Sequence, residues 1–179
     1  MKKLAVVTDS TAYIPNDLVL KYNIHVTPQV LIWGEKTFED GIDILPSEFY
    51  QKLSTSKVMP TTSQVTPATF LKLFSKLVAE EYDILAILIS NQLSGTIKSA
   101  LQAKDEFPGS NIEIIDSYTT AMALGFIVLS AARAIQEGAS LKDCNELVNQ
   151  AKQNVGVVFA VDTLEFLHRG GRIGEPAPD

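Results

Sequence analysis

Strand-like apolar runs alternate with helix-like stretches along this chain, and the runs stop abruptly at hydroxyl, carboxylate and carboxamide residues. Val6-Val7 leads into Thr8-Asp9-Ser10-Thr11, and the run from Ile84 leads through Ile89 into Ser90-Asn91 and then Ser94-Gly95-Thr96. Ile114-Ile115 leads into Asp116-Ser117, Val157-Val158 leads on through Val161 into Asp162-Thr163, and a further cluster, Thr61-Thr62-Ser63-Gln64, falls in a loop between two predicted helices. Short, continuous, β-branched runs of this kind read as strands buried on both faces. Alternating with helices, they require a doubly wound α/β fold: a parallel sheet with helices on both faces. Ligands of such sheets bind at the carboxyl ends of strands, where loops feed helix N-termini. Short hydroxyls gathered there suit an anionic oxygen group, a carboxylate or a phosphate.

Period and punctuation place the elements. Strands are expected over 4–8, 82–89, 112–115 and 155–161. Residues 26–33 and 36–38 read as an extended pair closed by Gly34-Glu35, with Pro28 marking an edge or irregular strand. Helices are expected after Pro15, capped by Asn16 or Asp17, and then over 46–53 and from Thr66-Pro67. Others span 95–107, 118–137 and Ser140 to about 154, and a short one starts at Thr163. The 118–137 helix is apolar almost all round. Its small residues Ala121, Ala123, Gly125, Ala131 and Ala132 suit a core helix, with room for an acyl chain as a second possibility. Phe159, Leu164, Phe166 and Leu167 read as core or lipid lining, exposed if a neighbouring domain is missing.

Composition narrows the function. A formal charge of -6 argues against nucleic acid or an anionic membrane as the main partner. No signal peptide or membrane span is expected, since the longest low-polarity stretch, 121–132, is far short of the roughly 20 residues needed to cross a bilayer. The lone cysteine, Cys144, forms no internal disulfide, which fits a cytoplasmic location. Unclustered His25 and His168 with one distant cysteine make neither a metal site nor a nucleophilic constellation, so no metal or cofactor is expected. Phosphate-loop and dinucleotide fingerprints are absent as well.

The set Asp9-Ser10-Thr11, Asp40-Gly41, Thr61-Thr62-Ser63-Gln64, Ser94-Gly95-Thr96, Asp116-Ser117 and Arg169-Gly170-Gly171-Arg172-Ile173 resembles the DegV family over residues 1–174. The resemblance implies a non-enzymatic carrier that binds a long-chain fatty acid between two α/β domains. It also implies a partner, the ATP-dependent catalytic subunit of a fatty-acid kinase, which phosphorylates the bound carboxylate to an acyl-phosphate. On that resemblance Thr62, Ser63 and Ser94 are the carboxylate-binding candidates, Arg169 supports the polar network and Arg172 is a candidate docking residue for the kinase. Val65 stands where the family commonly has Pro. The resemblance further implies that residues 1–165 are the N-terminal lipid-binding domain and 166–179 the truncated start of a connection to a second domain, which would carry a head-group histidine.

The residues themselves leave other readings open. Ser94 can be a plain helix cap and Thr62 and Ser63 ordinary turn residues, while Asp9 reads as structural, fixing its loop by side-chain to backbone bonds. A phosphotransfer subunit resembling dihydroxyacetone kinases or mannose-type sugar-transport domains would need a reactive histidine at a strand end, and neither histidine follows a strong strand. A remnant that folds but binds nothing is the third reading.

Overall fold

The computed structural model describes residues 3–174, so the last part of the expected connection, 175–179, falls outside it. Its centre is a parallel sheet of β1 (Lys3–Asp9), β2 (His25–Thr27), β6 (Tyr82–Leu88) and β7 (Ile112–Asp116), in the order β2-β1-β6-β7. Side chains on successive strand residues face opposite ways, and both sets are buried. Val6, Leu85 and Ile87 face α5 (Ala121–Gln136) and α6 (Leu141–Ala151), with Leu18 and Val19 of α1 (Asn16–Lys21) alongside. Ala5, Val7, Ile84, Ala86 and Leu88 face Phe70, Phe74 and Leu77 of α3 (Pro67–Ala79) and Ile97, Ala100 and Ala103 of α4 (Thr96–Lys104). Each large side chain fully buried here contributes roughly 1.5–3 kcal/mol. The doubly wound architecture follows from that two-faced burial.

The chain leaves β1 for β2 on one side and enters β6 and then β7 on the other. The crevice above the carboxyl ends of β1 and β6 is therefore the topological switch point. A second, antiparallel sheet of β4 (Lys36–Glu39), β3 (Val30–Trp33) and β5 (Thr61–Ser63) adjoins it, with a small core of Leu31, Trp33 and Ile44 that Phe49 and Leu53 of α2 (Pro46–Thr55) cover. Pro28 interrupts the extended run as expected: the chain leaves the parallel sheet after Thr27 and enters the antiparallel one at Val30. Gly34, at φ +63°, supplies the positive φ of the two-residue turn joining β3 to β4.

Several expectations are corrected. Thr61-Thr62-Ser63 is a strand paired with β3, not a loop between helices. Residues 155–161 form no strand, and Val158 and Phe159 are exposed. Strand propensity expresses packing against neighbours, and among the described residues no chain pairs with this segment. Pro15, not Asn16 or Asp17, precedes α1, without a side-chain cap. The long helix begins at Ala121 instead of Tyr118, whose φ of +55° lies outside the right-handed helical region. Its small face packs inward: a Cβ on Gly125 would lie 2.6 Å from the Ala12 carbonyl oxygen, so that glycine admits backbone, not lipid. Gly95 is the residue before α4, whose first turn opens at Thr96. By contrast, Ser140 caps α6 as expected, its hydroxyl accepting from Asp143 N at 3.2 Å while the Asp143 carboxylate accepts from Ser140 N.

Candidate functional site

A pocket of about 220 Å³ lies over the switch point. Thr11 reaches it from the turn after β1, and Ile89, Leu93 and Ser94 from the loop after β6. The antiparallel sheet contributes Leu31, Thr62 and Ser63, and Ile44, Phe49 and Tyr50 close the apolar side. One end is thus hydroxyl-rich and the other is aliphatic and aromatic. Tyr13 and Asp40 stand at the margin; partial burial, then the Asp40 carboxylate and Tyr50, push the Tyr13 phenol pKa up, so it remains a neutral hydroxyl at ordinary pH.

The polar residues differ in what they already bind. Asp9 is wholly buried: one carboxylate oxygen accepts from Ile89 N at 2.8 Å, and the other accepts from Thr11 N at 3.1 Å and Thr11 Oγ1 at 2.6 Å. It ties the ends of β1 and β6 together. Ser94 is half-buried; its Oγ accepts from Thr96 N at 3.3 Å and lies 2.9 Å from Thr96 Oγ1. The first turn of α4 stands behind it, and the exposed amides of a helix start favour an anion by roughly 0.3–1 kcal/mol. Close approach matters at Gly95, where a Cβ would fall 2.5 Å from Gln64 Oε1.

Thr62, Ser63, Ser94 and Arg172 come together at this pocket. Arg172 Nη2 donates to Thr62 Oγ1 at 3.2 Å and Nη1 donates to its own loop at Gly170 O, at 2.9 Å. Arg169 stands apart: at the end of α7 (Glu165–Arg169) it pairs with Glu165 on an exposed surface. A shallower polar groove formed with Asn91, Gln92, Gly170 and Gly171 adjoins the hydroxyl end and shares Thr62, Ser94 and Arg172 with the pocket. His25 opens β2 with its ring half-buried, and His168 is exposed on α7. Neither lines the pocket. Among the described residues no group of three or more His, Cys, Asp or Glu is arranged to hold a metal, and no helix is long and apolar enough to cross a membrane.

Two residues of the site carry no obvious mark in the sequence. Gln29 is buried and joined to Thr96, its Nε2 donating to Thr96 Oγ1 at 3.0 Å. The signal for it is a carboxamide beside Pro28 in an otherwise apolar extended run. Tyr50, by contrast, reads as an ordinary helix residue, and only the packing of α2 on the antiparallel sheet brings it to the pocket.

The sequence profile of the DegV family, whose members are described as uncharacterised proteins, matches residues 3–177. The chain belongs to the DegV family. A DegV domain-containing protein of Caldanaerobacter subterraneus is 38% identical over 173 residues, 97% of this chain and 61% of that protein. Among solved structures, a fatty-acid-binding DegV family protein of Thermus thermophilus superposes with a TM-score of 0.87 at 35% identity, over 97% of this chain and 61% of its own. DegV of Bacillus subtilis, a fatty acid binding protein, gives 0.84 at 31% identity, over 96% and 61%. The present chain thus spans about 61% of the length of these DegV relatives.

Proposed function

We propose that this protein binds a long-chain fatty acid as a non-catalytic carrier, with the carboxylate at the hydroxyl end of the pocket and the first part of the chain against Leu31, Ile44, Phe49 and Tyr50. The observation that carries the reading is the pocket's polarity: a hydroxyl and guanidinium rim and an apolar floor within one cavity over the switch point. An ionised carboxylate buried without donors costs several kcal/mol; Ser94, Thr62 and Ser63 offer hydroxyls, and Arg172 offers charge. The two solved DegV relatives described as fatty-acid binding support the same ligand. Residues 1–165 would form the lipid-binding unit and 166–179 the start of a connecting segment, with Arg169 paired to Glu165.

The hydroxyl end adjoins an open polar groove. That placement supports a carboxylate accessible to a partner, in this reading the catalytic subunit of a fatty-acid kinase, with Arg172 at the shared margin as its docking residue.

Mass spectrometry of lipid released from the denatured recombinant chain, paired with titration by a chain-length series, tests the ligand. Burial of each methylene is worth about 0.8 kcal/mol, so affinity should rise about fourfold per added carbon while the tail remains inside the pocket. The cavity is smaller than the roughly 300–1,000 Å³ common for enclosed ligand sites, and the gain should flatten once the tail passes the Tyr50 end. Absence of any co-purified fatty acid, together with affinity independent of tail length, would overturn the reading. ATP-dependent phosphorylation of the bound acid by a kinase subunit, lost in Arg172→Ala even at lipid concentrations that saturate the variant, tests the partner.

A further inference from the structure

Behind Ser94 lies a buried hydrogen-bond chain whose direction can be read from its donors. Gln29 is pinned by its backbone: its N–H donates to Ser10 Oγ at 3.0 Å and its carbonyl accepts from Asp40 N at 2.9 Å. Its carboxamide lies against Thr96 Oγ1, with Nε2 donating at 3.0 Å and Oε1 a more distant acceptor at 3.4 Å. An amide nitrogen only donates. Thr96 Oγ1, fully buried, accepts that bond and has a single hydrogen left to give. The better-placed acceptor for it is Ser94 Oγ, at 2.9 Å. Ser94 Oγ then accepts twice, from the Thr96 hydroxyl and from Thr96 N. Its lone pairs are occupied, and its own hydrogen remains to face the pocket that Ser94 lines.

We infer that Gln29 and Thr96 are positioning residues that fix the direction of the Ser94 hydroxyl, so that the pocket presents the hydrogen-bond donor that an acceptor-only carboxylate head group requires. This rests on the carboxylate reading of the pocket. The relay explains why a carboxamide is buried between Pro28 and the start of β3 and why the residue after Gly95 carries a hydroxyl that no solvent reaches. An ionised carboxylate can only accept, whereas an alcohol can give or take. A hydroxyl turned the other way would therefore cost a fatty acid its donor, whereas a fatty alcohol of the same length could still bind by donating.

The test reverses the relay. Gln29→Glu replaces the donating amide with an acceptor that takes the Thr96 hydrogen; Thr96 Oγ1 then accepts from Ser94, and the donor facing the pocket is lost. Binding of palmitate and of hexadecanol is measured by titration in wild type, Gln29→Glu, Thr96→Val, Thr96→Ser and the two Gln29→Glu double variants, at about pH 8.5 to keep the introduced carboxyl ionised despite its burial. Unfolding curves confirm that each variant is folded. Expected are a tenfold or greater loss of palmitate affinity in Gln29→Glu with hexadecanol within threefold of wild type, and a loss of palmitate affinity below threefold when Gln29→Glu is added to Thr96→Val. Thr96→Ser keeps wild-type affinity, and Gln29→Glu regains its full effect in that background. An equal Gln29→Glu penalty with and without the Thr96 hydroxyl would reduce the effect to charge repulsion across space and overturn the relay. So would unchanged palmitate affinity in Gln29→Glu, or equal losses for acid and alcohol. Wild-type protein that binds neither palmitate nor any shorter acid overturns the functional reading and the relay with it, whereas the preceding outcomes sink the relay alone.

Discussion

Asp9 ends β1 and Ser94 sits in the loop after the adjacent β6, but they differ in what they have left to give. All of the Asp9 acceptor positions shown are turned inward, to Ile89 N, Thr11 N and Thr11 Oγ1, and its side chain sees no solvent. Ser94 accepts from behind and faces a cavity in front. The first is a joint between β1 and β6; the second is a surface for something else to bind. In a ring of polar residues at strand ends, hydrogen-bonding capacity left over and aimed into a pocket separates ligand residues from structural ones.

The largest effect should come from breaking the joint. Asp9→Ala strands buried amides of two loops, and each buried donor left without a partner costs about 1–3 kcal/mol. Stability should fall by roughly 2–4 kcal/mol, read as a lower urea midpoint at an unchanged slope. Should the midpoint hold, Asp9 would no longer count as structural. Ser94→Ala should do the reverse. Fatty-acid affinity should drop about 10- to 100-fold, the loss of one buried donor to a charged acceptor, while stability changes by about 1 kcal/mol or less for the missing cap bond to Thr96 N. A pair of variants in which Asp9→Ala loses binding alone and Ser94→Ala loses stability alone would invert the comparison.

The contrast was only half legible in the sequence. The runs ending at Asp9 and Ser90 announce buried strands by continuous apolarity, and the doubly wound sheet follows from their alternation with helices. Thr61-Thr62-Ser63 carries no such signal; it is extended because β3 offers a ladder to pair with. Residues 155–161 show the converse, a strand-like composition with no partner among the described residues. At the site, hydroxyl clusters marked Thr62 and Ser94 without distinguishing them from caps, because capping and ligand binding use the same groups. The Arg169-Gly170-Gly171-Arg172 motif gave no sign of which arginine reaches Thr62, since that depends on where α7 ends and how Gly170 lets the Arg172 guanidinium fold back onto it. The apolar floor was invisible, being assembled from a turn and α2 only after the antiparallel sheet forms.

Unused capacity without a pocket should have a different consequence, and His25 provides the case. Its Nε2 is buried with no hydrogen-bond partner. Burial, then the nearby Lys76 ammonium, pull its pKa below the ordinary 6.5, against a smaller opposing pull from Glu80. The folded state therefore binds the proton less readily than the unfolded chain. No stability is lost to this group above pH 6.5, where both states are neutral; stability declines as pH falls from there toward the lowered folded value. His25→Gln should flatten that part of the stability–pH curve and leave fatty-acid affinity unchanged. A parallel curve in the variant would show that another group titrates there, and a change in affinity would extend the site to β2.

The smallest effect should fall on Arg169. Three positions before Arg172 in the same motif, its guanidinium is paired with Glu165 on an exposed helix while Arg172 reaches Thr62. Exposed pairs one helical turn apart contribute little, because water already solvates both charges and two long side chains must be held still. Arg169→Ala should therefore leave fatty-acid affinity within twofold of wild type and stability within about 0.5 kcal/mol. Affinity measured at low and at high salt makes the distinction sharp: a long-range attraction between Arg169 and the ligand carboxylate would appear at low salt and be screened beyond a Debye length of about 8 Å at physiological ionic strength. A salt-independent loss of fivefold or more would mean that Arg169 leaves Glu165 and turns to the head group when lipid binds. The boundary drawn between the pocket and its surface would then have to move to include α7.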